Sequence, residues 1–226
     1  MTALVRCDGA ARTFGTGRGA TVALQPTSSE VFPGARIAVM GPSGSGKSTL
    51  LHLMAGLDEP TLGSVEWPAI GGRDDLRPGP VGTVFQGPSL LPPLTVAENV
   101  ALPLLLAGRD ERWAAVAARQ ALDRLGLAGL ADKLPDEISG GQAQRVAVAR
   151  ALVGDPVLVV ADEPTGQLDH ANASAVVDVL LETASHTGAA LVVATHDPAV
   201  SDRLPERWEM RDGQLVVHEP ERASLP

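Results

Sequence analysis

A glycine-rich segment between an apolar run and a helical pattern constrains the fold of this chain more than any other feature. Residues 41–48 read GPSGSGKS and match the pattern G-x-x-x-x-G-K-[ST]. The preceding ARIAVM predicts a strand that runs directly into the segment, and STLLHLMAG at 48–56 has helical spacing and ends at a glycine. A strand, a glycine-rich loop and a helix in this order predict a phosphate-binding loop.

The residue types in this loop suit a nucleoside triphosphate with Mg²⁺. Glycines let the backbone wrap a phosphate without clashes, and the loop N–H groups then face the anion. Lys47 would reach the β- and γ-phosphates, and the Ser48 hydroxyl would ligate Mg²⁺. The alternative is a chance match in a glycine-rich turn, against which the strand and helix on either side argue.

Composition bounds the class of protein and its partners. A chain of 226 residues fits one domain of ordinary size, and a formal net charge of −9 argues against a nucleic-acid surface. The single cysteine, Cys7, excludes a disulfide within the chain and favours a reducing compartment. The longest apolar stretch, residues 100–107, is far shorter than the ~20 residues of a membrane span. Any membrane role would therefore need a separate partner.

The last third of the chain alternates between buried-strand and helical patterns. VLVVADE at 157–163 and ALVVATH at 190–196 are apolar runs of the parallel-strand type, and HANASAVVDVLLETASH between them is helical. This βαβ unit predicts an α/β fold with a parallel sheet.

Polar residues follow both apolar strands. Asp162 is placed to hold Mg²⁺, because ligands of open α/β sheets collect at the carboxyl ends of strands. Glu163 would point in another direction and is a candidate to orient or deprotonate a water. His196 ends the second strand and would either face the γ-phosphate or serve a structural role. The alternative for the acidic pair is a solvated turn.

A second glycine-containing helix start occurs at residues 137–145, EISGGQAQR. Ser139 is a good N-cap, and Gln142 three residues later completes a capping box. Gly140 and Gly141 in addition leave the helix N-terminus open to an anion. Local evidence leaves both readings open, a helix cap alone or an anion site.

Taken together, these motifs resemble those of the ABC-type ATPases, the nucleotide-binding subunits of ABC transporters. Six motifs occur in the family's order: Walker A (GPSGSGKST), Q-loop (VFQ), signature (ISGGQ, usually LSGGQ), Walker B (VLVVADE), D-loop (GQLD) and switch histidine (ATHD). The bacterial group that drives lipoprotein release and macrolide or peptide export is most similar. Its D-loop region usually reads PTGNLD, so Gln167 is a departure.

The resemblance implies a P-loop NTPase core, a mainly parallel sheet flanked by helices, with a small antiparallel β-subdomain and an α-helical subdomain. Residues 1–226 would form one ABC ATPase domain. Its core would comprise residues 1–86 and 154–217, its helical subdomain residues 87–153, and a flexible tail residues 218–226. The antiparallel part, including residues 60–85, is short for the group.

The resemblance also assigns roles to residues. Catalysis would rest on Glu163, His196, Lys47 and Gln86, and Mg²⁺ on Ser48, Gln86 and Asp162. Phe14 would stack on adenine where the family usually has a tyrosine, or would instead belong to the core. ATP would further contact Gly41, Ser43, Gly44, Ser45, Gly46, Lys47, Ser48, Thr49, Ser139, Gly140, Gly141, Gln142 and Asp169.

In this family the signature binds ATP held by another subunit, so two chains form a head-to-tail dimer. We therefore expect a homodimer, or a pair with a homologous ATPase subunit, and a transmembrane permease that keeps the chain on the cytoplasmic face of the membrane. Residues 87–106 would either dock that permease or form subdomain core. The alternatives are a soluble or cell-division-type ABC ATPase with a mechanical role, and a regulatory module that binds ATP without turnover.

Overall fold

The computed structural model describes residues 1–87, 89–166 and 168–218 of the chain. The strands in these ranges are β1 Val5–Phe14, β2 Thr21–Val31, β3 Arg36–Met40, β4 Leu62–Glu66, β5 Val81–Val84, β6 Leu158–Asp162, β7 Ala190–Ala194, β8 Glu206–Arg211 and β9 Gln214–His218. The helices are α1 Lys47–Met54, α2 Val96–Leu106, α3 Glu111–Arg124, α4 Gly140–Leu152, α5 His170–Thr187 and α6 Pro198–Ser201. Single 3₁₀ turns cover Gly17–Gly19, Arg73–Asp75, Ala128–Leu130 and Pro135–Glu137.

The larger sheet has the strand order β5-β6-β7-β3-β8-β9 and is parallel except for the β8–β9 pair. Every residue of β6 and β7 is buried, because helices cover both faces of the sheet. On one face α1 packs against Val160 and Val192. On the other face α2, α4 and α5 pack around Val159 and Val193. The all-apolar runs of the sequence therefore predicted the central strands correctly.

The parallel strands end at one edge of the sheet. The phosphate-binding loop follows β3, Gln86 follows β5, and Glu163 and His196 follow β6 and β7. In the sheet, β3 lies between β7 and β8, which both come much later in the chain. Open α/β sheets bind ligands at the carboxyl ends of strands where the strand order changes in this way, so we expect the ligand crevice at this edge. The fold thus collects the predicted polar residues at a single place.

A smaller antiparallel sheet has the order β2-β1-β4. Its register places Arg12 opposite Leu24 and Phe14 opposite Thr21. The Gln25 backbone N–H donates to the Gly213 carbonyl at 2.8 Å and so ties this sheet to the β8–β9 hairpin. Between α1 and β5 the chain adds only β4 and an isolated bridge to the described sheets, so the antiparallel part is compact.

The helices α2, α3 and α4 pack on one another beside the larger sheet. A capping box between Thr95 and Glu98 starts α2. The fully buried Asn99 side chain donates to the carbonyls of Leu91, Leu94 and Thr95, which fixes the chain that enters this helix. None of the helices in the described part of the chain has the length and apolarity that a membrane crossing requires.

These features confirm the predicted α/β class, with a mainly parallel sheet, an antiparallel part and a helical part. The helix start predicted at Ser139 is also confirmed, because Ser139 caps α4, which begins at Gly140 and ends at Leu152. The predicted tail falls outside the described residues apart from His218, which ends β9, and the departure at Gln167 also lies outside them.

Candidate functional site

The loop between β3 and α1 is held tightly by its neighbours. Gly41 and Gly46 have φ angles of +150° and +99°. A Cβ at Gly41 would lie 2.2 Å from the Met210 carbonyl oxygen, and one at Gly46 would lie 2.4 Å from the Ala23 carbonyl oxygen. These two glycines are therefore required by backbone conformation and by space.

Lys47 is buried at the start of α1 and its ammonium group stays inside the loop. Its Nζ donates to the Gly41 carbonyl at 2.8 Å and to the Pro42 carbonyl at 3.1 Å. Among the ion pairs found between described residues, none includes Lys47. These neutral carbonyls satisfy two of its three N–H donors and leave the positive charge uncompensated, which suits an incoming anion.

A cavity of about 540 Å³ opens beside this lysine. The residues lining it come from the loop, from the chain after β5, and from the ends of β6 and β7: Ala23, Ser43, Gly44, Gly46, Lys47, Ser48, Thr49, Gln86, Asp162, Glu163 and His196. The structure therefore brings most of the predicted catalytic, phosphate-binding and metal-binding residues together.

Asp162 ends β6 in a buried position. Its Oδ1 atom is fully buried and lacks a hydrogen-bond partner among the described residues. A carboxylate oxygen in this state is costly unless a cation or a water completes it. The described residues contain no cluster of three His, Cys, Asp or Glu side chains suited to a metal. Mg²⁺ that is coordinated mainly by phosphate oxygens and water needs only one or two protein ligands, so Asp162 and Ser48 suffice to hold it.

Glu163 and His196 form a hydrogen-bonded pair at the mouth of the cavity. Nδ1 of His196 lies 2.9 Å from Oε1 of Glu163. The Glu163 side chain is 8% exposed and that of His196 71% exposed. Glu163 has a φ of +46°, a left-handed conformation that a non-glycine residue adopts only under constraint. The chain leaves β6 at this residue, directly after Asp162.

The Ser139–Gln142 segment starts α4 and contributes nothing to this cavity. Ser139 Oγ accepts from the Gln142 N–H at 3.3 Å, and Gln142 Oε1 accepts from the Ser139 N–H at 2.9 Å. This is the predicted capping box. Gly140 is exposed and Gly141 partly exposed, and neither they nor the capping pair are among the lining residues.

Four other predicted contacts also lie off the cavity wall. Gly41 is partly exposed, and Ser45 is buried, with its Oγ atom lacking a hydrogen-bond partner among described residues. Phe14 ends β1 and is 45% exposed. Asp169 caps α5, and hydrogen bonds from Asn172 hold the pKa of its carboxyl below the usual value.

Two residues of α4 that the sequence analysis missed hold the chain on either side of Gln86. Gln144, buried, donates through Nε2 to the Phe85 carbonyl at 3.2 Å. Arg150 donates to the Ser89 carbonyl at 2.8 Å and to its hydroxyl at 2.7 Å. Burial lowers the pKa of Arg150. No motif spacing in the sequence indicates a contact across about 60 residues.

The fold and the site together define a P-loop nucleotide-hydrolysing protein. The sequence profile described as ABC transporter matches residues 24–166, more than half of the chain. The chain therefore belongs to the ABC transporter family, as an ATP-binding and ATP-hydrolysing subunit.

Curated relatives and solved structures agree with this assignment. The lipoprotein-releasing system ATP-binding protein LolD of Shewanella oneidensis is 40% identical over 226 aligned residues, covering 96% of this chain and 97% of LolD. LolD of Legionella pneumophila (strain Paris) is 46% identical over 196 residues, covering 84% and 86%.

The dimeric structure of a post-hydrolysis state of the ATP-binding cassette MJ0796 bound to ADP and Pi has a TM-score of 0.89 at 33% identity, covering 97% of this chain and 99% of the other. The cbiO1 structure from Clostridium perfringens, part of the cbiONQ transporter complex, has a TM-score of 0.80 at 27% identity, covering 97% and 89%.

Proposed function

We propose that this chain powers a lipoprotein-releasing type of transporter by hydrolysing ATP in a site shared between two copies. The observation that carries the proposal is an incomplete site. The cavity beside Lys47 holds phosphate-binding, acidic and water-activating groups, whereas the signature segment of the same chain lies outside it. The relatives named for lipoprotein release cover nearly the whole chain, which supports the choice of transporter class.

ATP would bind with its triphosphate against the loop. The amides of residues 44–49 would donate to phosphate oxygens, and Lys47 Nζ would exchange its two carbonyl partners for the β- and γ-phosphates. This exchange costs little free energy, because the carbonyl oxygens that Lys47 loses are neutral and the phosphate oxygens that it gains are charged. Ser43 belongs to the same phosphate-facing wall.

Mg²⁺ would be held by Ser48 and Asp162, with Gln86 contacting it directly or through water. The support is the buried Asp162 oxygen, which has no hydrogen-bond partner in the described part of the chain, and the position of all three side chains on the cavity wall. When bound, the ion neutralises charge that develops on the transferred phosphoryl group.

Glu163 would orient and deprotonate the attacking water. Its carboxylate lines the cavity, and His196 holds one of its oxygens at 2.9 Å. The left-handed turn at Glu163 separates this carboxylate from Asp162, so one group serves the metal and the other serves the water.

A second copy of the chain would supply the signature segment that the cavity of the first copy lacks. Ser139, Gly140, Gly141 and Gln142 would present an open helix N-terminus to the γ-phosphate held by the partner, and Asp169 would lie at the interface between the two sites. The dimeric cassette at 33% identity supports this arrangement. Residues 87–153 would then act as a subdomain that carries the signature to the partner.

This shared site makes turnover depend on protein concentration. Groups supplied from another chain at phosphoryl-transfer sites contribute roughly 10³–10⁵ in rate. The rate should therefore rise more steeply than the concentration of the chain until dimers predominate. A strictly linear rate over a wide concentration range, including dilute solution, would contradict a site shared between chains.

A groove between β5, the chain after Gln86, and the end of α2 would dock the permease. Its volume is about 880 Å³, and the apolar part of its wall includes Phe85, Leu91, Leu102, Leu106 and Trp113. Arg77 and Arg109 add positive charge to its wall. A helix of mixed apolar and acidic character, from the cytoplasmic side of a transmembrane protein, fits this chemistry. The chain would then sit on the cytoplasmic face of the membrane.

The docking proposal is tested by a single substitution with a matched control. Leu106 lines the groove and is 68% exposed, whereas Val116 on α3 is 56% exposed and lies outside it. Wild-type chain and Val116→Glu should remain with washed membranes of cells that produce them, and Leu106→Glu should not. Equal retention of all three would contradict docking through this groove.

A further inference from the structure

Arg12 lies against the ring of Phe14. Its guanidinium carbon is 4.8 Å from the ring centroid, within the range of a cation–π contact. The two residues are two positions apart on β1, so both side chains leave the strand on the same side. The ring remains 45% exposed, which leaves room for a second planar group on it.

Asp58 fixes the guanidinium in this position. Arg12 Nε donates to Asp58 Oδ2 at 2.8 Å, and Arg12 Nη2 lies 2.7 Å from Asp58 Oδ1. Both side chains are about three-quarters buried. A two-pronged pair of this kind holds the planar guanidinium in one orientation, unlike a single-contact surface ion pair.

The pair connects β1 to the helix that begins at the phosphate-binding loop. Asp58 follows α1, and its backbone N–H donates to the His52 carbonyl at the end of that helix. On the adjacent strand, Ala23 forms part of the wall of the nucleotide cavity, one residue from Leu24, the register partner of Arg12. Arg12 and Phe14 thus lie on the strand next to the one that carries this cavity residue, and Asp58 connects them to the end of α1.

We propose that Arg12, held by Asp58, is a positioning residue for the base of the nucleotide. It covers one face of the Phe14 ring and fixes the ring so that its other face receives the adenine. A phenyl ring has no hydroxyl by which a hydrogen bond could orient it, so the contact with Arg12 supplies that constraint. Prior ordering of the ring lowers the entropy lost when the base stacks. The inference rests on the adenine-stacking role that the family resemblance implies for Phe14.

The test compares ATP with inorganic triphosphate, which lacks a base. Both affinities are measured by calorimetry for wild-type chain, Arg12→Leu, Asp58→Asn and Phe14→Ala. Arg12→Leu and Asp58→Asn should weaken ATP binding by about three- to tenfold and leave triphosphate binding within about twofold, given the usual strength of cation–π and stacking contacts. Arg12→Lys should give an intermediate loss, since lysine cannot form the two-pronged contact.

Arg6→Leu is the matched control. Arg6 lies on the same strand and pairs with Glu30 at 2.7 Å, away from Phe14. Its substitution removes an arginine and an ion pair, as Arg12→Leu does, and should change neither affinity.

The outcomes separate the two levels of the proposal. An Arg12→Leu or Asp58→Asn chain that binds ATP as wild type does, while Phe14→Ala binds it more weakly, would overturn the positioning role alone. Equal loss of ATP and triphosphate affinity would assign the pair to general stability, and tighter ATP binding would mean that Arg12 occupies the face meant for adenine. Unchanged ATP binding by Phe14→Ala would refute the stacking role and the inference with it.

Discussion

His196 Nδ1 lies 2.9 Å from Oε1 of Glu163, and the two residues come from the ends of adjacent parallel strands. Glu163 is almost completely buried, whereas His196 is largely exposed on the cavity side. The pair therefore combines a buried carboxylate with an exposed ring that lines the cavity. This arrangement leads directly to the first prediction.

Glu163→Gln should lower ATP turnover by about 10²–10⁴-fold, because an amide cannot accept the proton of the attacking water. The substitution keeps the side-chain shape, so the affinity for a fluorescent ATP analogue should stay within about twofold. Glu182→Gln, at an exposed position on α5, controls for the loss of one carboxylate. Normal turnover by Glu163→Gln would show that another group activates the water.

Asp162→Asn should raise the Mg²⁺ concentration needed for half-maximal turnover by about 10–100-fold, since a neutral amide replaces a charged ligand of the ion. Nucleotide binding measured in excess chelator should change little. The exposed Asp123→Asn variant serves as the control. An unaltered Mg²⁺ requirement would remove Asp162 from the metal site.

Ser89→Ala and Gln144→Leu should reduce turnover by about three- to tenfold with KM within about twofold. Each removes roughly one hydrogen bond that ties α4 to the chain around Gln86. The signature starts the same helix, and we propose that these bonds couple Gln86 to it.

Arg119→Ala, which breaks an exposed ion pair with Asp132, is the control for this coupling. Thermal unfolding of each variant supplies the second readout. Turnover that stays at the wild-type level, or that falls only in step with the unfolding temperature, would argue against a coupling role for α4.

Cys7 should resist alkylation in the folded chain. Burial raises the pKa of its thiol from 9.0 to about 11, so at pH 8 the reactive thiolate is about 100-fold scarcer than in the unfolded chain. The raised pKa also means that this site's contribution to stability is present below about pH 9 and is lost as the pH rises towards 11. Mass spectrometry after iodoacetamide treatment, with and without urea, measures the difference; equal rates would contradict the buried thiol.

The parts of the fold that were predicted from sequence are those with a strong local pattern. The runs VLVVADE and ALVVATH became β6 and β7 because both faces of these strands are covered. The β8–β9 hairpin was missed. Its first strand, ERWEMR, lies between β3 and the edge strand β9 and has apolar residues only at Trp208 and Met210, so it lacks the apolar run of a central strand.

In the candidate site, too, residues within a local sequence motif were predicted and contacts between distant residues were not. Apart from Ala23 on β2, the residues that line the cavity were predicted, because each lies in a short motif next to a strand end. The Arg12–Asp58 pair spans 46 positions, and Gln144 reaches Phe85 across 59. Such contacts depend on how helices and sheets pack, and a single sequence contains no local signal for them.

The central claim is that each ATP site combines the phosphate-binding loop of one chain with the signature of another. Mixing two defective variants tests it most directly. Glu163→Gln removes the water-activating group from the site that holds ATP on the same chain. Gly141→Asp places a negative charge at the helix start that this chain contributes to the partner's site, where it would repel the phosphate. The matched control mixes Glu163→Gln with a chain that carries both substitutions, because no complete site can then form.

Equal mixing of the two single variants gives about half mixed dimers, each with one intact site of two, so about a quarter of wild-type turnover should return. A mixture no more active than the sum of its two components would contradict the account.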